Sequence, residues 1–261
     1  MSHSCPWPYA RVLAHRGGGT LAPENTVPAI DVGRDHGYRA VEFDAMLARD
    51  DVPVLMHDDT LERTTRVQGD VNGRTAEELA QLDAGGWHSK RFTGTPVPSL
   101  SDAIAHCRQH RVWINVEIKP APGHESRTGA VVAQQVQLAY SDCVRDGGDR
   151  APSVDARVPL LSSFAKDALV AARAAAPALP RAWCVDRVPR DWKFVLESLG
   201  CISLHTDYRH LTQALAREVK DVGYWLFCYT VNDLAHARRI FDWGVDAFCT
   251  DRIDLIPASF T

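Results

Sequence analysis

Two charged pairs stand out in this 261-residue chain: Glu42-x-Asp44 within AVEFDA and Glu117-x-Lys119 within WINVEIKP. Each places its members two residues apart in an otherwise apolar run. Strand side chains alternate between faces, so both members of a pair point the same way, about 6.6 Å apart along the strand. Phe43 and Ile118, the intervening residues, then face a helical layer. A single pair of this kind is ordinarily a surface feature or a local salt bridge. Two at matching depth argue instead for one shared cavity. There Glu42, Asp44 and Glu117 would repel by about 4 kcal/mol per close pair at an effective dielectric near 20, a cost that a bound cation removes. Oxygen ligands without cysteine select a hard divalent ion, Mg²⁺ or Ca²⁺, over Zn²⁺. Adding the positive charges of that ion, Arg16 and Lys119 leaves a site one charge positive, suited to a phosphodiester monoanion. Arg16 offers a fork to the phosphate and Lys119 a point charge.

Breaking a P–O ester bond needs a base for the attacking oxygen and an acid for the leaving alcohol, and imidazoles suit both near neutrality. Of the 11 histidines, two are singled out by position. His15 closes the apolar run RVLAH directly before Arg16 and Gly17-Gly18-Gly19; His57 closes VPVLM directly before Asp58-Asp59. The three glycines can bring main-chain N–H groups to a phosphate, although alone they signal only a turn.

Side chains at strand ends need a scaffold whose strands all point one way. Short β-rich runs alternate with longer helical patterns along the whole chain, the signature of βα units around a parallel sheet. Eight such runs occur: Arg11–His15, Ala40–Asp44, Val112–Ile118, Pro159–Phe164, Arg181–Val185, Cys201–His205, Tyr224–Thr230 and Ala247–Thr250. Helical patterns cover Thr26–His36, Ser101–His110, Lys166–Ala175, Asp191–Leu199, Leu211–Val222 and Asp233–Trp243. Ser101 and Asp233 stand where N-caps belong, and Gly37, Gly200, Gly223 and Gly244 follow helix ends. The expectation is an α/β protein with a (β/α)₈ barrel, one catalytic domain over 1–261, with its chemistry at the C-terminal ends of the strands. Residues 51–99 break the alternation with an extra strand-like run, Val52–Met56, and a short helix near Thr75–Leu82. This stretch is too long for a βα loop. Its part from about residue 59 to 99 reads as a small insertion after strand 2, over the barrel mouth. A second long loop, Cys143–Val158, falls on the opposite face and receives no function.

Composition bounds the partners. Lys+Arg 29 against Asp+Glu 33 gives a net charge of −4, so no broad basic surface points to nucleic acid or anionic lipid. No basic-then-apolar leader and no membrane-length apolar stretch occurs, so a cytoplasmic protein without stable membrane association is expected. Seven scattered cysteines without CxxC pairs read as buried free thiols in a reducing compartment. Oligomeric state is left open.

AHRGGGTLAPENT, VEFDAML, LMHDDTLERTT, NVEIKP, YTVN and WGVDAFCTDRID together resemble the glycerophosphodiester phosphodiesterase family across essentially the whole chain. The likeness is greatest to cytosolic bacterial enzymes associated with glycerol-3-phosphate uptake. The resemblance implies one divalent metal, and hydrolysis of deacylated phospholipid head groups to sn-glycerol 3-phosphate and an alcohol. It implies metal ligands at Glu42, Asp44 and Glu117, catalytic histidines at His15 and His57, and phosphate contacts at Arg16 and Lys119. Glu24 and Asn25 match the PENT motif but open the first helix, where Asn25 also reads as an N-cap. Asp58 either orients His57 or caps the next turn, and Asp251 lines the last strand end or starts the closing turn. His205 and Tyr229 face the mouth as candidate substrate contacts, Tyr229 standing where many family members carry tryptophan. Three other readings compete: a phosphate-binding barrel without turnover, a phospholipase-like enzyme acting on lysolipid or sphingolipid head groups, and a sugar-phosphate barrel enzyme.

Overall fold

A computed structural model describes residues 6–144 and 155–261. Cys5 and most of the 143–158 loop lie outside the described residues. The strands are β1 (Val12–Ala14), β2 (Ala40–Leu47), β3 (Pro53–Leu55), β4 (Trp113–Ile118), β5 (Leu160–Ser163), β6 (Arg181–Val185), β7 (Ser203–Asp207), β8 (Trp225–Tyr229) and β9 (Ala247–Thr250). The helices are α1 (Val27–Asp35), α2 (Glu62–Thr65), α3 (Ala76–Ala80), α4 (Leu100–His110), α5 (Glu125–Ala139), α6 (Lys166–Ala175), α7 (Trp192–Leu199), α8 (Gln213–Asp221) and α9 (Leu234–Asp242). All strands except β3 pair in parallel, in the order β1-β9-β8-β7-β6-β5-β4-β2, and β1 pairs with β2 to close a (β/α)₈ barrel. β3 runs antiparallel along the outer part of β2, pairing Ala45 with Leu55.

Side-chain parity sorts each strand into an inner and an outer row. In β2, Val41, Phe43 and Ala45 join the apolar layer under the helices, while Ala40 packs inside the barrel. Glu42 and Asp44 share the parity of Ala40. β4 repeats the pattern, with Ile114, Val116 and Ile118 outward and Trp113 inward, on the same parity as Asn115 and Glu117. Trp113 and Trp225 open their strands, so both lie at the N-terminal end of the barrel. Tyr9 stacks on Trp113 at 3.9 Å, and Trp7 meets Trp225 edge-on at 5.3 Å. These four rings form an aromatic floor beneath the acidic rungs.

Two helix caps differ from expectation. α4 is capped by Ser99, not Ser101: the Ser99 hydroxyl accepts from Asp102 N at 3.1 Å, because the first helical residue is Leu100. α1 is capped by Thr26, not Asn25, its hydroxyl accepting from Ala29 N. α5 is the helix from which the Cys143–Val158 loop was expected to lead. Its Gly129 looks like a breaker, but a Cβ there would lie 2.1 Å from Ala168 O, so the glycine lets α5 and α6 pack closely. Asp233 caps α9 as expected, accepting from Ala235 N and His236 N.

Between β3 and α4 the chain forms α2, α3 and short 3₁₀ turns around its own apolar cluster, which includes Met46, Met56, Leu61, Leu79 and Val97. His88 reaches from this segment to the carbonyl of Thr20 at 3.0 Å. Among the described residues all six cysteines are buried and free, and no helix is long and apolar enough to cross a membrane.

Candidate active site

The β2–β4 register sets Glu42 beside Asn115 and Asp44 beside Glu117, so four polar side chains occupy adjacent rungs above the aromatic floor. One carboxylate oxygen from each of Glu42, Asp44 and Glu117 lies within 4.8 Å of the others. Glu42 and Asp44 are 4% and 2% exposed, too dry for water to screen their repulsion. Burial, and then the Asp44 charge, push the carboxyls of Glu42 and Glu117 above the usual carboxylate range. The nearby side-chain cations stand off: Arg16 Nε is 3.6 Å from Asp44, and Lys119 Nζ is 3.9 Å from Asp44 and 3.8 Å from Glu117. Charge-assisted hydrogen bonds are nearer 2.8 Å. Three mutually close oxygens with partly unmet charge fit a hard divalent cation.

The trio is held from behind. Asn25 Nδ2 donates to Asp44 Oδ2 at 2.8 Å, and Asn25 Oδ1 accepts from Asp44 N at 3.0 Å. This buried side chain was read as a cap from sequence, but it positions a carboxylate. Arg16 N donates to Glu42 Oε2 at 3.1 Å. Arg16 and Asn25 both adopt the left-handed backbone region, with φ 51° and 57°, and Asn25 N donates to Arg16 O. A non-glycine residue tolerates that region where surrounding bonds fix it, and such residues gather at functional sites.

Each histidine has Nδ1 tied to a carboxylate. His15 Nδ1 is 2.6 Å from Asp251 Oδ1, and Asn232 Nδ2 holds the other Asp251 oxygen at 3.0 Å. His15 Nε2 lies 3.7 Å from Glu42. Burial works against a charged His15, but the Asp251 hydrogen bond and the Glu42 charge outweigh it and its pKa rises. His57 Nδ1 is 2.6 Å from Asp58 Oδ1, and its Nε2 is 2.6 Å from Lys119 Nζ. Burial, with the charges of Arg16 and Lys119, lowers the His57 pKa.

Arg63 is the residue that the sequence reading missed. From α2 it donates to both Asp58 oxygens at 2.6 and 3.1 Å, and to both Glu24 oxygens at 2.6 and 2.8 Å. Glu24 in turn accepts from Arg16 Nη1 at 2.7 Å. One guanidinium thus links the carboxylate behind His57 to the one behind Arg16. The sequence signal was the ERTT run five residues beyond Asp58.

A cavity of about 200 Å³ gathers His15, Arg16, Glu42, Asp44, His57, Glu117, Lys119, His205 and Tyr229. All nine residues singled out from sequence therefore line one space. His205 is buried and stacks on Phe227 at 4.5 Å; burial pulls its pKa down to about 3, which keeps it neutral. Tyr229 packs edge-on to Phe164 at 5.8 Å. Arg16 Nε, Asn115 Oδ1 and His205 Nε2 are buried without a hydrogen-bond partner, so each is open to a polar ligand or water in the cavity. On the other flank of His15 and Arg16 a second hollow of about 360 Å³ opens, bounded by Glu24, Trp87, His88 and Asp251. Two imidazoles, two cations and a cation-ready carboxylate trio in one cavity are equipped to bind and cleave a phosphate ester.

Comparison with known proteins agrees. The glycerophosphoryl diester phosphodiesterase family model matches residues 15–255. A glycerophosphodiester phosphodiesterase of Caldanaerobacter subterraneus is 29% identical over 241 residues, covering 92% of this chain and 93% of that protein. One of Bacillus subtilis is 27% identical over 258 residues, covering 93% and 84%. Among solved structures, an Oleispira antarctica phosphodiesterase in complex with the product sn-glycerol-3-phosphate superposes with TM-score 0.82 at 33% identity, over 95% of this chain and 94% of that one. A glycerophosphodiester phosphodiesterase of Agrobacterium tumefaciens gives 0.75 at 26% identity, over 94% and 98%. With a match over nearly its whole length, this chain belongs to the glycerophosphoryl diester phosphodiesterase family of hydrolases.

Proposed function

We propose that the chain is a single catalytic barrel, with residues 59–99 as a small insertion at its mouth, that hydrolyses glycerophosphodiesters to sn-glycerol 3-phosphate and an alcohol. The observation that carries this reading is the placing of His15 and Arg16 on the shared wall of two hollows. A diester has two arms. The inner cavity, walled by Phe164, Phe227 and Tyr229, takes the glycerol, and the outer hollow, beside Trp87, takes the alcohol. Complexation of the Oleispira relative with sn-glycerol-3-phosphate supports that product.

Glu42, Asp44 and Glu117 would hold one divalent cation, Mg²⁺ or Ca²⁺, which would supply Lewis-acid neutralisation of phosphoryl charge. Arg16 and Lys119 bind the remaining anionic oxygens and stabilise the charge that grows on them. His57 is the base. With its Nδ1 hydrogen pointing to Asp58 and its Nε2 lone pair accepting from Lys119 it is neutral, and it can take a proton at Nε2 once Lys119 turns to the phosphate. Asp58 does little to favour an imidazolium, because its charge is already shared with Arg63. His15 is the acid: besides the imidazole, Asp251 accepts from the neutral amide of Asn232, and His15 borders the hollow assigned to the leaving alcohol. The attacking oxygen belongs either to water or to the glycerol 2-hydroxyl. Trapping a cyclic glycerol phosphate in a single turnover assigns it to the hydroxyl; its absence assigns it to water.

The test is hydrolysis of glycerophosphocholine, with and without chelator, coupled to detection of glycerol 3-phosphate. Turnover should require the cation and disappear in His57→Ala. Metal-independent turnover overturns the role of the carboxylate trio, and failure on every soluble glycerophosphodiester overturns the substrate class.

A further inference from the structure

On the outside of the barrel, α1 and α4 bring Asp31, His106 and His110 together. His106 and His110 lie one helical turn apart on α4, so their imidazoles share a face, with ring centroids 4.6 Å apart. Asp31 reaches across from α1, its Oδ1 2.9 Å from His106 Nε2. One ligand atom from each of the three lies within 4.8 Å of the others, and all three residues are only partly exposed. We propose that this cluster binds one borderline divalent transition ion, Zn²⁺ by its donor chemistry, at a site separate from the carboxylate trio in the barrel mouth.

Two imidazoles and one carboxylate form the donor set that such ions prefer, whereas Mg²⁺ and Ca²⁺ seek a shell of oxygens. An i, i+4 histidine pair on a rigid helix is a preorganised chelate, used in helical zinc sites. Zinc–nitrogen bonds of about 2.0–2.1 Å put tetrahedral ligand atoms about 3.4 Å apart. Binding would require side-chain rotation to bring atoms now within 4.8 Å to that value and to open the 2.9 Å His106–Asp31 contact slightly. Arg34 competes, donating to Asp31 Oδ1 at 2.9 Å, but its neighbouring Oδ2 stays available to the guanidinium. Three protein ligands leave the fourth position to water, which the partial exposure permits.

The ion would clamp α1 to α4. α1 backs the Gly17–Gly19 turn: a Cβ on Gly33 would lie 2.2 Å from Gly17 O, so helix and turn are in backbone contact there. The role is therefore structural.

The two donor sets separate the experiment. With the mouth saturated by millimolar Mg²⁺, equilibrium dialysis against Zn²⁺ should load one more equivalent on the intact chain than on His110→Ala, which leaves the His106–Asp31 bond and the barrel intact. At Zn²⁺ one hundredfold above its Kd, the melting temperature of the intact chain should rise by about 5 °C and that of His110→Ala should not. Co²⁺ should give a tetrahedral absorption band that the variant lacks. Activity of His110→Ala in Mg²⁺ should match the intact chain. Equal zinc loading in the two proteins, or none in either, overturns the site.

Discussion

Lys119 Nζ lies 2.6 Å from His57 Nε2, closer than it comes to either carboxylate beside it. A lysine placed to bind phosphate therefore also holds a proposed base in its neutral form. Lys119→Met should lower kcat/KM by about 10²–10³-fold, the usual loss for one transition-state donor. It should also move the acid limb of the pH profile to higher pH, since removing a neighbouring cation makes His57 easier to protonate. An acid limb at the wild-type position would separate Lys119 from the base.

Arg63 offers a test by pH. Its hydrogen bonds hold the Asp58 carboxyl far below the usual range; Glu24, despite burial, is also held low by Arg63 and Arg16. Folded-state values below the unfolded ones mean stability that is present above about pH 4 and lost as pH falls through the folded values. Melting temperatures measured from pH 6 to 3 should drop more steeply in the native protein than in Arg63→Met. The variant should also lose about tenfold in kcat/KM as the clamp behind His57 and Arg16 loosens. Parallel melting curves would remove Arg63 from the acid response.

Asn25 should act through Asp44. Asn25→Ala removes both hydrogen bonds that fix this carboxylate, and losing a bond that orients a metal ligand typically weakens metal binding by about 10–100-fold. The activation curve against Mg²⁺ or Ca²⁺ should shift to the right by that factor while kcat at saturation changes less. An unchanged half-saturation point would leave Asn25 as a helix-entry residue only.

Glu117→Gln should raise the melting temperature without metal, because one member of a repelling buried trio becomes neutral. The same change should abolish the stabilisation by added cation and the activity that depends on it. Calorimetry with and without Mg²⁺ reads both effects; a lower metal-free melting temperature would contradict the repulsion.

The barrel and the acidic rungs were legible in the sequence because both follow from alternation: an inward charge in an apolar strand declares its own face. Asn115 obeys the same parity one rung below Glu117 and could have been found that way. Asn25 and Arg63 stand within motifs the sequence displays, but their partners were not readable. Asn25 sits beside a helix start, where its residue type already has a local explanation, and its partner Asp44 is 19 residues away. Arg63 meets Glu24 across 39 residues, a pairing set by how the chain returns over the mouth. In α5 the cost of Gly129 to the helix is offset by a contact with α6 that no local pattern records.

The rings of Trp7, Tyr9, Trp113 and Trp225 make the barrel a cul-de-sac. On the proposed placing of the two arms, substrate, alcohol and glycerol phosphate share one doorway, and the product lodged deepest should leave last. Glycerol 3-phosphate should then compete directly with incoming substrate, whereas the free alcohol, departing from the outer hollow, should compete weakly. Traffic through one opening, set by four aromatic residues far from the chemistry, would make the deeper product the natural brake on turnover.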